Sequence, residues 1–274
     1  MYKLTKKNLF TPISIPIKFS SKNILYIILI CCLGLQSCTT KKEILYFQDS
    51  SNYNVEDIDY KNIRIQPNDI LSIIVTTPIP EAAIPYNIQT LGGPGAFDLE
   101  ALKLQGYLVS IEGIIKFPVL GPLKVMNKTI PEIERFVKTR LEGEGHLKNA
   151  TVNVRLLNAK VTVLGDVIRP GTFTFTEQSI TLPQALGYAG DLIITGKRKN
   201  VLVIREENGV RTMNEIDLTT TNWIKGPYYY IKPNDVIIVD PNSTKIKSAG
   251  FIGNAGIVLT IASLILSSIV LISR

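Results

Sequence analysis

The middle of the chain, residues 63–242, alternates between short apolar runs and polar segments rich in Gly, Pro, Asn and Asp. Residues 70–75, 151–156 and 160–164 have the β-branched or alternating pattern of short strands. Only two segments have helical spacing, and each lies between predicted strands. The pattern therefore predicts an α+β protein with two small mixed-sheet domains, each carrying one helix.

Both predicted helices begin with the same cap. Thr129-Ile-Pro-Glu132 and Thr181-Leu-Pro-Gln184 are capping boxes, in which the threonine hydroxyl and the Glu or Gln side chain satisfy backbone N–H groups of the first turn. Proline in that turn costs little, since its position has no helical hydrogen-bond partner. The first helix should end near residues 142–145 and bury one face, made of Ile130, Ile133, Val137 and Leu141.

Turn residues predict how the strands connect. Pro67-Asn68-Asp69 and Pro233-Asn234-Asp235 are equivalent turns, each followed by an apolar strand. Glu112-Gly113 predicts a hairpin between residues 107–111 and 114–117, and Asn208-Gly209 predicts one between residues 201–205 and 210–213. Residues 76–106, with several prolines and glycines, are predicted to be an extended surface loop.

The N-terminal segment is typical of a lipoprotein signal peptide. Residues 1–37 contain five lysines and no acidic residue, and residues 24–35 form an apolar run too short to span a bilayer. Leu35-Gln36-Ser37-Cys38 then resembles a lipobox, which predicts cleavage before Cys38 and its acylation, with palmitate among the attached chains. The alternative is an ordinary signal peptide with an incidental cysteine. Residues 38–62 are polar and aperiodic, so we predict a tether.

Residues 249–273 contain no charged side chain and predict a C-terminal transmembrane helix. Within it, small or hydroxyl residues follow a spacing of three or four positions and form one stripe: Gly253, Gly256, Thr260, Ser263 and Ser267. Such a stripe lets helix backbones approach closely in lipid, so it predicts oligomerisation. The alternative is a single membrane anchor whose small residues reflect average composition.

Charge and cysteine content narrow the possible functions. The net charge of +7 falls to +2 when the five lysines of residues 1–37 are removed, so the basic character belongs mainly to the export signal and does not argue for nucleic-acid binding. Cys31 and Cys32 would leave with the signal, and Cys38 alone cannot form an intramolecular disulfide.

Catalytic and metal-binding motifs are not evident in the sequence. His146 is the chain's single histidine, and no second histidine or free cysteine accompanies it to make a metal site or a nucleophile. The sequence therefore predicts neither an enzyme nor a bound cofactor. Tyr228, Tyr229 and Tyr230 are candidates for sugar contact, although a consecutive aromatic trio can equally be divided between core and surface.

The order of these motifs resembles the outer-membrane polysaccharide export proteins, lipoproteins through which bacteria release capsule or exopolysaccharide. The first family domain is matched by Pro67-Asn-Asp-Ile-Leu71, by Gly113-Ile-Ile-Lys-Phe-Pro-Val-Leu-Gly121 and by the helix after Thr129. The family's soluble-ligand-binding β-grasp domain has a V-x-G-x-V-x-x-P-G signature, matched by Val163, Gly165, Val167, Pro170 and Gly171. The resemblance implies an export domain over residues 63–157 and a β-grasp domain over residues 158–242.

This resemblance implies a ring of identical subunits in the outer membrane, lipid-anchored at Cys38, with the domains in the periplasm and the C-terminal helices crossing the membrane. The implied partners are the polysaccharide, membrane lipid and an inner-membrane polysaccharide co-polymerase. Two alternatives remain open from the residues: a tethered ligand-binding or scaffold lipoprotein without a pore of its own, and a polysaccharide-processing enzyme.

Overall fold

The structure is a computed structural model that describes residues 41–53, 58, 62–88, 99–248 and 255–272. The described strands are β1 (Ile70–Thr76), β2 (Tyr107–Leu108), β3 (Ile114–Phe117), β4 (Gly121–Lys124), β5 (Thr151–Leu156), β6 (Lys160–Gly165), β7 (Gly171–Thr174), β8 (Ile180–Thr181), β9 (Gly196–Glu207), β10 (Val210–Ile216), β11 (Tyr230–Ile231) and β12 (Val236–Pro241). The described helices are α1 (Pro80–Ala83), α2 (Leu99–Leu104), α3 (Ile130–Gly143), α4 (Leu182–Tyr188), α5 (Ser243–Ser248) and α6 (Ala255–Ile272). This mixture of helices and small sheets confirms the predicted α+β class. One of the two predicted mixed sheets is wrong, because β1 pairs antiparallel with both β2 and β5.

Two hydrophobic cores organise the described residues. The first core lies between residues 65 and 154, where β1 pairs antiparallel with β2 and β5. Helix α3 closes this core with the four side chains predicted from its periodicity, Ile130, Ile133, Val137 and Leu141. Its capping box is present, with the Thr129 amide donating to Glu132 Oε2 at 2.7 Å.

The second core lies between residues 159 and 239 and is built on a five-stranded sheet in the order β10-β9-β12-β6-β7. Strand β12 is central, because it runs parallel to β6 and antiparallel to β9. Helix α4 covers the core with Leu182, Ala185 and Leu186 and begins at the second predicted capping box. The predicted hairpin between β9 and β10 is also present, with Asn208 and Gly209 both at positive φ.

The predicted hairpin around Glu112-Gly113 is wrong. Strand β2 pairs with β1, in the register Ile70 to Leu108, whereas β3 pairs with β4. The turn between β3 and β4 is made possible by Val119 and Gly121, which have φ values of 65° and 75°. The turn at Glu112-Gly113 does reverse the chain, since the Gly113 amide donates to Ser110 O at 2.9 Å. Which strands pair, however, depends on how their side chains pack in the first core.

The prediction of an extended loop over residues 76–106 is wrong for its described parts. Helices α1 and α2 and a 3₁₀ turn at Ile84–Tyr86 lie there, and Ala83 and Tyr86 are buried. Asn87 fixes the segment, because its side chain accepts from the amide of Val75 and donates to the carbonyl of Val75, both at 2.8 Å. The prolines therefore begin helical turns here instead of preventing them.

Helix α6 forms, but the predicted transmembrane helix over residues 249–273 is not supported. Over the residues that the structure describes, no helix is both long and apolar enough to cross a membrane.

Candidate functional site

The predicted site residues are only partly within the described residues. Cys38 and Gly253 lie outside them. Gly256, Thr260, Ser263 and Ser267 are exposed on α6, where Thr260 Oγ1 donates to Gly256 O at 2.7 Å and Ser263 Oγ donates to Thr260 O at 2.8 Å. These two hydroxyl groups are thus satisfied within their own helix, and the role of the stripe in oligomerisation stays a prediction.

The two Pro-Asn-Asp turns have the same geometry. Asn68 and Asn234 have φ values of 70° and 69°, a left-handed conformation that asparagine tolerates better than most residues. In each turn the aspartate carboxylate accepts a hydrogen bond from the backbone amide three residues earlier. The Gln66 amide donates to Asp69 at 2.8 Å, and the Lys232 amide donates to Asp235 at 2.9 Å. The repeated motif is therefore a repeated structural device that starts one strand in each core.

The electrostatic surroundings of these two buried aspartates differ. Arg205, itself 5% exposed, donates to both carboxylate oxygens of Asp235 at 2.6–3.2 Å and to the carbonyl oxygens of Pro227 and Tyr230. Burial raises the pKa of Asp235, and Arg205 acts in the opposite direction. Among the described residues Asp69 has no such cation, and its burial raises its pKa to about 6.

The motif predicted to be a β-grasp signature, residues 163–171, contacts both β12 and α5. Gly165 has a φ of 90°, and a Cβ at this position would lie 2.0 Å from Val239 O, so a larger residue does not fit. The next residue, Asp166, is buried, accepts a hydrogen bond from Thr195 Oγ1 at 2.5 Å and forms an ion pair with Lys245 of α5. The signature thus joins β6, β12 and α5 in one contact.

An N-terminal segment, residues 46–49, packs on the second core. The amides of Phe47 and Gln48 donate to Leu218 O at 3.2 Å and to Thr219 O at 2.7 Å, and the Phe47 ring stacks on Trp223 with 5.7 Å between centroids. Tyr46 donates to Asp191 Oδ1 at 2.5 Å. Residues 46–49 of the region predicted as a tether are therefore docked on the second core.

Tyr46 also covers a buried cation. Its ring centroid lies 5.2 Å from the guanidinium of Arg198, which donates to the carbonyl oxygens of Leu192, Ile193 and Gly196. Burial, followed by the hydrogen bond to Asp191, raises the pKa of the Tyr46 hydroxyl. The sequence analysis missed this docking, and the adjacent aromatic pair in a polar stretch was the available signal.

The tyrosine trio is used mainly for packing. The centroid of the Tyr228 ring lies 4.7 Å from Cζ of the Arg205 guanidinium. The Tyr228 hydroxyl is hydrogen-bonded to the side chains of Thr212 and Asn214. Tyr229 packs against Trp223 with 5.8 Å between ring centroids. These contacts favour the packing alternative over sugar contact.

A cationic cleft lies beside the N-terminal half of α3. It is open to solvent and has a volume of about 560 Å³, within the range of small-ligand sites. Its charged and aromatic lining comprises Arg64, Lys128, Glu132, Arg135 and Phe136. We name this surface the α3 cleft. It was missed from the sequence because Arg64 is distant in the chain from α3 and is brought there by the pairing of Ile65 with Asn127 and Lys128.

Glu132 does not neutralise the α3 cleft. Its carboxylate accepts the Thr129 amide in the capping box, the hydrogen bond that chiefly lowers its pKa, and lies 3.8 Å from Arg64 Nη1. Lys128 Nζ lies 5.2 Å from the centroid of the Phe136 ring. Three cations against one carboxylate leave an excess of two positive charges.

No group of three or more His, Cys, Asp or Glu side chains that could hold a metal ion occurs among the described residues. His146 lies against Tyr86, with 5.9 Å between ring centroids, and its Nε2 lies 3.5 Å from Glu144. The described residues thus form two hydrophobic cores, with a cationic cleft beside the helix of the first.

Part of the chain is similar to a known protein family. Residues 59–157 match the family described as polysaccharide biosynthesis/export protein. These residues include the first core, the first Pro-Asn-Asp turn and the α3 cleft. This part of the chain is therefore similar to the polysaccharide biosynthesis/export proteins, and the resemblance drawn from the motifs is confirmed.

Two curated relatives are named as polysaccharide export outer membrane proteins. The chain is 28% identical over 186 residues to the EPS I polysaccharide export outer membrane protein EpsA of Ralstonia solanacearum, an alignment that covers 65% of this chain and 48% of that protein. It is 32% identical over 150 residues to the EpsA protein of Ralstonia nicotianae, covering 52% of this chain and 38% of that one. The chain thus spans about half, or less, of the length of the curated relatives it matches.

Proposed function

We propose that this chain is a subunit of an oligomeric outer-membrane channel that exports capsular or extracellular polysaccharide and acts as a conduit, not as an enzyme. The observation that carries the proposal is the family match over residues 59–157, which covers a complete hydrophobic core. The names of the two relatives support the outer membrane as the location. In this proposal the subunits form a ring and meet an inner-membrane polysaccharide co-polymerase in the periplasm.

Deletion of the gene for this protein is expected to reduce extracellular polysaccharide at least about 10-fold. Polymer of unchanged composition should then accumulate inside the envelope. A conduit changes where the polymer is found, whereas an enzyme changes its length or composition. Sugar analysis of the secreted and retained fractions measures both, and reintroduction of the gene is the control. Normal secretion in the deletion strain would refute the proposal.

Oligomerisation is tested separately by the mass of the complex extracted in detergent. A ring gives a mass that is a fixed multiple of the subunit. A monomer at all protein concentrations would instead support the tethered scaffold as the function.

We further propose that Cys38 is acylated and anchors the subunit to the outer membrane. The lipobox sequence supports this, and Thr39 and Thr40 lack the aspartate that commonly retains lipoproteins at the inner membrane in enteric bacteria. Replacing Cys38 with alanine is expected to abolish incorporation of labelled palmitate and to leave the precursor at the inner membrane. A Cys31→Ala variant is the matched control, because that cysteine lies within the predicted signal. Continued labelling of Cys38→Ala would contradict the assignment.

A further inference from the structure

The α3 cleft has features that the export role by itself does not explain. Its charge is unbalanced, and its cations come from two separated parts of the chain, Arg64 before β1 and Lys128 and Arg135 around α3. Of the residues of α3 that line it, Glu132 and Arg135 lie opposite the four that fill the first core, whereas Phe136 lies at the side of the helix and packs against that core. The cleft therefore occupies the solvent face of a helix whose other face is fixed by packing.

The cations differ in how firmly they are held. Arg64 is fixed, because its Nη1 donates to Asn127 O at 2.6 Å and lies near Glu132. Lys128 is held over the Phe136 ring, a contact that orients the ammonium group without neutralising its charge. Arg135 is exposed and makes no ion pair with any residue that the structure describes. Its guanidinium can therefore accept a ligand without first breaking such a pair.

This arrangement favours an anionic ligand with carboxylate groups. A guanidinium binds a carboxylate through two parallel hydrogen bonds, and an ammonium group adds a less directional charge. The cleft is open to solvent and its cations are partly screened, so each contact is weak. Weak, repeated contacts are what a moving polymer requires, since a deep binding well would stop its passage.

We propose that the α3 cleft binds acidic sugar residues, and hence that the polysaccharide carried by this protein is anionic and bears carboxylate groups. The inference rests on the proposed export function and specifies its substrate class. Arg135 contacts the sugar carboxylate directly, Lys128 supplies a second positive charge, and Phe136 positions Lys128.

Binding of trigalacturonate to the full-length protein, measured by titration calorimetry in detergent, tests the proposal, with neutral maltotriose as the comparison. Wild-type protein is expected to bind trigalacturonate and not maltotriose, with affinity falling as salt is raised. Arg135→Ala should weaken binding about 5-fold, and Lys128→Ala combined with Arg135→Ala about 20-fold. Lys138→Ala is the matched control, because it removes one exposed charge from the same helix outside the cleft, and should change binding less than about 2-fold.

Equal affinity for the two trisaccharides, no binding of trigalacturonate, or an equal loss in Lys138→Ala would overturn the proposal. Binding of the same variants to vesicles that contain phosphatidylglycerol is measured in a separate experiment. If the cleft variants lose vesicle binding but retain trigalacturonate binding, the cleft is a lipid-contacting surface and the inference is wrong.

The deletion strain separates this inference from the proposed function. If deletion blocks secretion but the cleft variants bind trigalacturonate as the wild type does, the export role remains and the cleft assignment fails. If deletion leaves secretion unchanged, the export role fails whatever the cleft binds.

Discussion

Replacing Arg205 with methionine is expected to lower the free energy of unfolding by about 3–5 kcal/mol, because it leaves a buried charge without its partner. Asp235 is 1% exposed and is paired with Arg205 through both carboxylate oxygens. The change also removes the donors to Pro227 O and Tyr230 O. Chemical denaturation followed by the fluorescence of Trp223, the chain's single tryptophan and part of the second core, measures the effect.

Arg211→Met is the matched control for this experiment. Arg211 pairs with Glu206 on the neighbouring strand, but both side chains are more than 60% exposed, so the loss should stay below about 1 kcal/mol. Adding Asp235→Asn to Arg205→Met should restore part of the stability, since it removes the uncompensated charge while keeping an acceptor for the Lys232 amide. Similar unfolding midpoints for Arg205→Met and Arg211→Met would show that the buried pair does not stabilise the second core.

Replacing Gly165 with alanine is expected to cost about 3 kcal/mol or more. An L-residue at a φ of 90° is strained, and the added Cβ would lie 2.0 Å from Val239 O. Relief requires β12 to move away from β6, which weakens the hydrogen bond from the Asp166 amide to Val239 O, now 2.8 Å. The same denaturation experiment measures the loss.

Gly187→Ala serves as the control for the glycine substitution. Gly187 lies within α4, and no atom other than those of its chain neighbours and the backbone of its own helix lies within 4 Å of the position of its Cβ. Alanine there should be neutral or stabilise the protein by up to about 1 kcal/mol, because glycine is the poorer helix former. If both variants unfolded at the same denaturant concentration, close packing at Gly165 would not be the reason for glycine in the signature.

Features that depend on a few neighbouring residues could be predicted. The capping boxes at Thr129 and Thr181, the buried face of α3 and the hairpin at Asn208-Gly209 are all present. Each is determined by hydrogen bonds and side-chain directions within one or two turns of chain, so the relevant energies can be assigned from the sequence.

Features that depend on distant pairing were missed. The Glu112-Gly113 turn reverses the chain, but β2 pairs with β1 because the first core needs that register. Phe47 contacts Trp223 across more than 170 residues of chain, and nothing near Phe47 in the sequence indicates that partner. Loop closure over such distances depends on the whole fold, not on local preference.

The sequence by itself determined the α+β class, the caps of the two core helices and the resemblance to the polysaccharide export family, because these depend on local spacing and on the order of motifs. Only the tertiary structure decided which strands pair, that residues 46–49 dock on the second core, and that Arg64 joins Lys128 and Arg135 in one cleft. The physical reason is that burial and charge clustering are properties of groups brought together in space, and here the strands of the two cores bring them together.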